Sequence, residues 1–86
     1  MLQVIVSVKD TAAQVFGRPV FVPAVAVAVR SLRDEVNRKD SEQDIARYPD
    51  DFELYEIGAF DDSTGIVQVL EMPRMVARAK DLKESV

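Results

Sequence analysis

The chain predicts a small α+β domain, an antiparallel sheet with one covering helix, in the order β–loop–α–β–β–α. Three stretches carry this reading. Residues 2–8 (LQVIVSV) are dense in β-branched side chains. Residues 24–37 repeat apolar residues at helical spacing, and residues 52–70 set two strand-like runs around an Asp-Asp-Ser-Thr-Gly loop.

In the first strand Leu2, Val4, Val6 and Val8 make one face wholly apolar, which places the strand at the centre of a sheet. Lys9-Asp10-Thr11 ends it. Residues 11–23 (TAAQVFGRPVFVP) read as an ordered connection. Gly17 permits a turn, while Pro19 and Pro23 fix φ and remove backbone donors. Phe16, Val20 and Phe21 are too apolar for a free loop, so they cover the core or line an interface. A short extended piece fits 19–22.

The clearest helix spans 24–37 (AVAVAVRSLRDEVN). Val25, Val29, Leu32 and Val36 fall on one stripe with Ala28 beside them, and Arg30, Arg33, Asp34 and Asn37 occupy the other side. Pro23 stands where a first turn tolerates proline. The Ala/Val alternation over 24–29 also suits a strand, but the amphipathic continuation to Val36 favours helix. The polar run 37–44 ends it, with Asp40 or Ser41 as a cap for a short turn through Ile45 and Ala46.

Pro49-Asp50-Asp51 predicts a turn. Residues 52–60 (FELYEIGAF) predict a strand in which Gly58 marks a bulge or a close backbone approach. Asp61 to Gly65 is a hairpin loop, and Ile66 to Leu70 is the returning strand. Pro73 then opens a last helix, with Met72, Met75 or Val76, Ala79 and Leu82 at helical spacing. The last few residues are expected to fray.

A length of 86 residues fits one domain, and a core of that size gives limited stability. Cys and His are both absent. Disulfides, thiolate chemistry and the usual zinc ligands are thereby excluded, and neither a metal nor another cofactor is expected. Self-association is the support that remains, so a homo-oligomer is expected. Fifteen acidic residues against eleven basic give a net charge of −4, so any surface for a polyanion must be local. The longest apolar run, Val20 to Val29, holds Pro23 and is too short to span a bilayer. With no leader pattern at the start, cytoplasmic residence is the expectation.

Catalysis is not expected, because the common general bases and thiol nucleophiles are missing. Asp50/Asp51 and Asp61/Asp62 are carboxylate pairs, but both stand in turns where Asp bonds its own backbone. Tyr48, Phe52, Tyr55 and Phe60 cluster around the hairpin with Arg47 adjacent. Rings on a sheet flanked by cations hold single-stranded nucleic acid, and they are equally the material of a core. Arg30 and Arg33 share a helical face, as Arg74 and Arg78 would in a final helix, and such charges ordinarily make a solvated surface.

Four pieces in order carry a resemblance: VSVKDTAA from Val6; Pro23 followed by AVAVAVRSLRDEVN; Tyr48-Pro49-Asp50-Asp51; and LYEIGAFDDSTG from Leu54. Together they span about Val6 to Val67, and the chain resembles the small nonstructural proteins of gokushovirus-type microviruses, phages with single-stranded DNA genomes. The match loosens beyond Leu70. The resemblance implies a phage nonstructural protein associated with DNA binding and the production of single-stranded genomes. The reading that joins it to the residues is a single-stranded-DNA-binding accessory with Arg30, Arg33, Arg47, Tyr48 and Tyr55 as its contacts. Two alternatives stay open: a module that binds the phage replication initiator or a host replication factor without touching DNA, and an assembly factor.

Overall fold

The computed structural model describes residues 1–84, so the expected fraying, where it falls on Ser85 and Val86, lies outside the described residues. Strand β1 (Leu2–Asp10) runs down the middle of a five-stranded antiparallel sheet. On one side it pairs with two short strands, β2 (Val15–Phe16) and β3 (Val20–Val22); on the other it pairs with β4 (Phe52–Asp61), which carries β5 (Ile66–Arg78) outermost. Helix α1 (Val25–Val36) covers one face, followed by a single turn α2 (Asp44–Arg47) and a 3-10 turn at Pro49–Asp51. A last turn, α3 (Ala79–Leu82), closes the chain. The α+β architecture with an antiparallel sheet and a covering helix agrees with the reading from sequence.

Alternation in β1 explains the two faces. Val4, Val6 and Val8 meet the helix, and Val6 is fully buried with Ala28, Leu32 and Val36 of α1, Leu54 of β4 and Ala79 of α3. The predicted helical stripe is thus the one that packs. Gln3, Ile5, Ser7 and Lys9 point to the opposite face. There Ser7, although polar, is buried, and its hydroxyl donates to the Gly17 carbonyl at 2.7 Å. That bond and the Gly17 N–H to the Val8 carbonyl pin the predicted connection 11–23 to the sheet.

Several elements differ from the sequence reading. The stretch 11–23 contains two strands instead of one extended piece. The turn that starts it is built by Asp10, whose carboxylate accepts the N–H groups of Ala12 and Ala13, with Gln14 at φ 57°. Neither Asp40 nor Ser41 caps α2: its N-cap is Gln43, without a side-chain bond, and Ser41 Oγ accepts the Gln43 N–H. The predicted helix from Pro73 is a strand as far as Arg78, leaving only Ala79–Leu82 helical. Residues 74–78 are held extended by pairing with Glu53–Glu56, and two ion pairs cross the ladder there: Arg74 with Glu56 and Arg78 with Glu53. Pro73 needs no partner, because it lies on an edge strand opposite a bulge. Apolar residues four apart satisfy a strand with one bulge as well as they satisfy a helix. Arg74 and Arg78, expected on one helical face, consequently stand on opposite faces of the sheet, since the extra residue at Val76 reverses the alternation.

Gly58 is both of the things its position suggested. Ile57 is the bulged residue between Glu56 and Gly58, and a Cβ at Gly58 would overlap the Gln68 carbonyl oxygen. The β4–β5 hairpin closes through Asp61, whose carboxylate accepts both the Ser63 N–H and its hydroxyl, and through Gly65 at φ 75°. Those two bonds hold the Asp61 carboxyl below its ordinary range. The hairpin carries the sheet past the end of the helix. The molecule therefore measures 45 × 23 × 19 Å with a radius of gyration of 13.5 Å, against about 12 Å for a spherical chain of this length.

Candidate functional site

The sheet face turned away from α1 gathers most of the chain's aromatic rings. Phe16 stands opposite Lys9 across β2–β1, Phe21 opposite Ile5 across β3–β1, Tyr55 opposite Ser7, and Phe60 opposite Gln3. All four side chains project from the same side, because cross-strand partners share a face. They meet in two edge-to-face pairs: Phe16 with Tyr55 at 5.2 Å between centroids, and Phe21 with Phe60 at 5.6 Å. The pairs lie four residues apart along β1, about 13 Å. Val67, Val69 and Met75 of β5 continue the surface towards the free edge, by their pairing with Phe60, Gly58 and Tyr55.

This is not a buried layer. Phe16 is 41% exposed, Phe21 51% and Val69 77%. Tyr55 and Phe60 are half-buried by their ring partners. Edge-to-face pairing is worth about 0.5–1.5 kcal/mol and fixes the rings while leaving parts of their faces open.

Charge on this face is mixed, with its cations close to the rings. Lys9 lies with its ammonium 5.4 Å from the centre of the Phe16 ring, and Arg78 projects beside Glu53 at 3.7 Å. Two carboxylates belong to the face: Glu71 of β5, exposed and placed there by the alternation between Val69 and Arg74, and Glu53, which accepts the Tyr55 hydroxyl at 2.8 Å and faces Arg78. The hydrogen bond to Glu53, with burial and the Glu53 charge behind it, pushes the Tyr55 phenol above its ordinary range, while Arg78 opposes the shift. Arg18, exposed on the loop between β2 and β3, lines the cleft on the α1 side of the sheet and does not belong to this face.

The five residues singled out from sequence do not form one surface. Tyr55 belongs to the aromatic face. Arg30 and Arg33 are exposed on α1, which covers the other side of the sheet. Arg47 and Tyr48 form their own pair at the end of α2, guanidinium to ring at 5.4 Å, with Tyr48 half exposed. Phe16, Phe21, Phe60 and Lys9 complete the arrangement around Tyr55. The signal that could have found them is the alternation of β1 itself, which sends Lys9 to the face opposite Val8, together with the unexplained apolarity of Phe16 and Phe21.

A second concavity, a cleft of about 370 Å³, opens between α1 and the sheet along β1 and β3 and is lined mainly by Val6, Val8, Val22, Leu32 and Leu54. It is the open flank of the core. Among the described residues, no group of three or more carboxylates is placed to hold a metal ion, and no helix is long and apolar enough to cross a membrane.

Fold and face together define a small α+β protein that presents an aromatic antiparallel sheet on the side its helix leaves bare. The chain belongs to the Phage ORF5 protein family, whose model matches residues 3–82. It is a phage protein. No curated protein and no solved structure matches it.

Proposed function

We propose that this protein binds single-stranded DNA as an accessory to genome replication or packaging in a microvirus of the gokushovirus type, acting in the cytoplasm of the bacterial host. The observation that carries the reading is the aromatic sheet face: two pairs of rings, Phe16 with Tyr55 and Phe21 with Phe60, with Lys9 against the first. Bases stack on such rings irrespective of sequence, and neighbouring cations meet the phosphates. The net charge of −4 weakens attraction at long range. On this face Glu53 is already engaged by Tyr55 and Arg78, and Glu71 lies apart from the two ring pairs, on the outer strand β5. The binding site of this proposal is thus Phe16, Phe21, Tyr55 and Phe60 with Lys9 and Arg78, and Arg18, Arg30 and Arg33 stand outside it.

Fluorescence anisotropy with labelled oligothymidylate at low salt tests it. The strand binds better than a duplex, and two cations on phosphates give a log–log salt slope of about −1.4. Phe16→Ala and Phe21→Ala each lower affinity roughly five- to a hundredfold, since stacking contributes about 1–3 kcal/mol per base. Both rings are exposed enough for the fold to tolerate their loss. Absence of binding by the wild-type chain at low salt overturns the proposal and leaves the protein-interaction reading in its place.

A further inference from the structure

We infer that two copies of this chain join edge to edge through β5, fusing their aromatic faces into one continuous sheet; the consequence for DNA rests on the function proposed above, the pairing does not. No strand among the described residues pairs with the outer side of β5. Its first five residues, Ile66-Val67-Gln68-Val69-Leu70, contain no charge, proline or glycine, and Ile66, Val67, Val69 and Leu70 are exposed by 56%, 51%, 77% and 39%. An uncharged, β-prone edge of this kind templates pairing with another chain. The rest of the strand is protected in the usual way, by Pro73, by bulges and by Arg74 and Arg78. The open segment is therefore confined to one place.

The occupant that fits is a second copy, run antiparallel. A two-fold axis at Gln68 sets Ile66 opposite Leu70 of the partner subunit and Val67 opposite Val69 of the partner subunit, so the segment is its own complement. Charge selects the same direction: parallel pairing in register would set Arg74 against its own copy, whereas the antiparallel arrangement about Gln68 carries the two Arg74 side chains to opposite ends of the seam. Val67 and Val69 project on the aromatic face, so the joined sheet is continuous on that side. With strands about 4.8 Å apart, Phe60 and Phe60 of the partner subunit stand about 16 Å from each other. One strand of DNA can then cross from the rings of one copy to those of the other, which raises affinity by multivalency.

Sedimentation of the full chain without DNA, over a concentration series reaching roughly 200 µM, tests the pairing at the small-interface end of the scale. The expected result is a shift from the 9.6 kDa monomer to about twice that mass. In the double variant Val67→Lys/Val69→Lys the dimer is lost, because lysines face each other across the axis, while circular dichroism is unchanged because both positions are exposed. The variant adds cations to the DNA-facing side, so weaker oligonucleotide binding by it reports the lost second copy and not lost charge. A wild-type chain that stays monomeric throughout, or a variant that dimerises as well as wild type, overturns the inference. A dimer with no affinity for DNA upholds the pairing and removes the function proposed above; a monomer that binds DNA does the reverse.

Discussion

The ring of Phe16 meets the ring of Tyr55 edge to face, 5.2 Å between centroids at an interplanar angle of 69°, joining the first turn of the chain to the hairpin that follows the helix. Each comes from a different edge of β1, opposite Lys9 and Ser7. The contact exists because β1 is central and its odd-numbered residues all face away from α1. It also sets the chemistry of Tyr55, whose hydroxyl is turned to Glu53.

Titration of the phenols should show that chemistry. Tyr55 is held above its ordinary value chiefly by the hydrogen bond to Glu53, then by burial and the Glu53 charge, against a smaller opposing effect of Arg78. A raised folded-state pKa contributes stability that is complete below the unfolded value near 10 and is lost as pH rises through the folded one. Absorbance of tyrosinate in the Tyr48→Phe variant, where Tyr55 alone reports, is expected to rise later than that of free tyrosine. Adding Glu53→Gln should bring it earlier. If Glu53→Gln leaves the curve in place, the hydrogen bond is not what holds the proton.

Gly58→Ala should break the hairpin locally. The new methyl would overlap the Gln68 carbonyl oxygen and stand 3.2 Å from Val69 Cα, and backbone cannot swing aside as a flexible side chain can. A loss of about 1–3 kcal/mol is expected from overpacking. Gly65→Ala is the control: it has open space around it but a φ of 75°, so about 1 kcal/mol of left-handed strain is all it should cost. Urea denaturation of both variants measures the difference; equal costs would mean that the close approach of β4 and β5 relaxes freely.

Asn37 fastens the end of the chain to the helix. Its amide donates to the Arg33 and Leu82 carbonyls, each at 2.9 Å, and its oxygen accepts the Glu84 N–H at 2.7 Å. Asn37→Ala should cost about 1–3 kcal/mol, at about 1 kcal/mol net per bond. Asn37→Asp should cost more than Asn37→Ala, because a carboxylate then faces two carbonyl oxygens. Hydrogen exchange should show amides of residues 79–84 losing protection first in both. The order of the two variants is the decisive reading.

Oligonucleotide affinity should separate the two sides of the sheet. Arg30→Ala/Arg33→Ala removes two exposed cations from α1, and affinity should fall less than about threefold, the effect of screened distant charge. Lys9→Ala removes the cation beside Phe16 and should weaken binding more. The reverse order would move the site to the helix.

Much of the fold was legible in the residues because the periods of its elements are clean. Alternating valines from Val4 to Val8 read as a strand, and the stripe of Val29, Leu32 and Val36 on an amphipathic stretch favours a helix over the strand that the Ala/Val alternation before it also suits. Asp61 to Gly65 carries its turn chemistry in its own side chains. The stretch after Leu70 was not legible, since spacings of four and three at Met72, Val76 and Ala79 serve a helix and a bulged strand alike. Its extended form is settled by partners distant in sequence, Glu53 and Glu56, which pair with Arg78 and Arg74.

The candidate site divides in the same manner. From residues alone came the absence of histidine and cysteine, a net charge of −4, and a gathering of rings in the connection and around the hairpin that could be core or surface. These are properties of composition and of local pattern, which neighbours in the chain set by themselves. Which rings share a surface, and with which cations, was decided only by register: β1 pairs with three strands drawn from separate parts of the chain, and each pairing assigns a side chain to one face or the other. A shift by a single residue, such as the bulge at Ile57 or Val76, reverses that assignment, and no local signal short of the assembled ladder fixes where it falls.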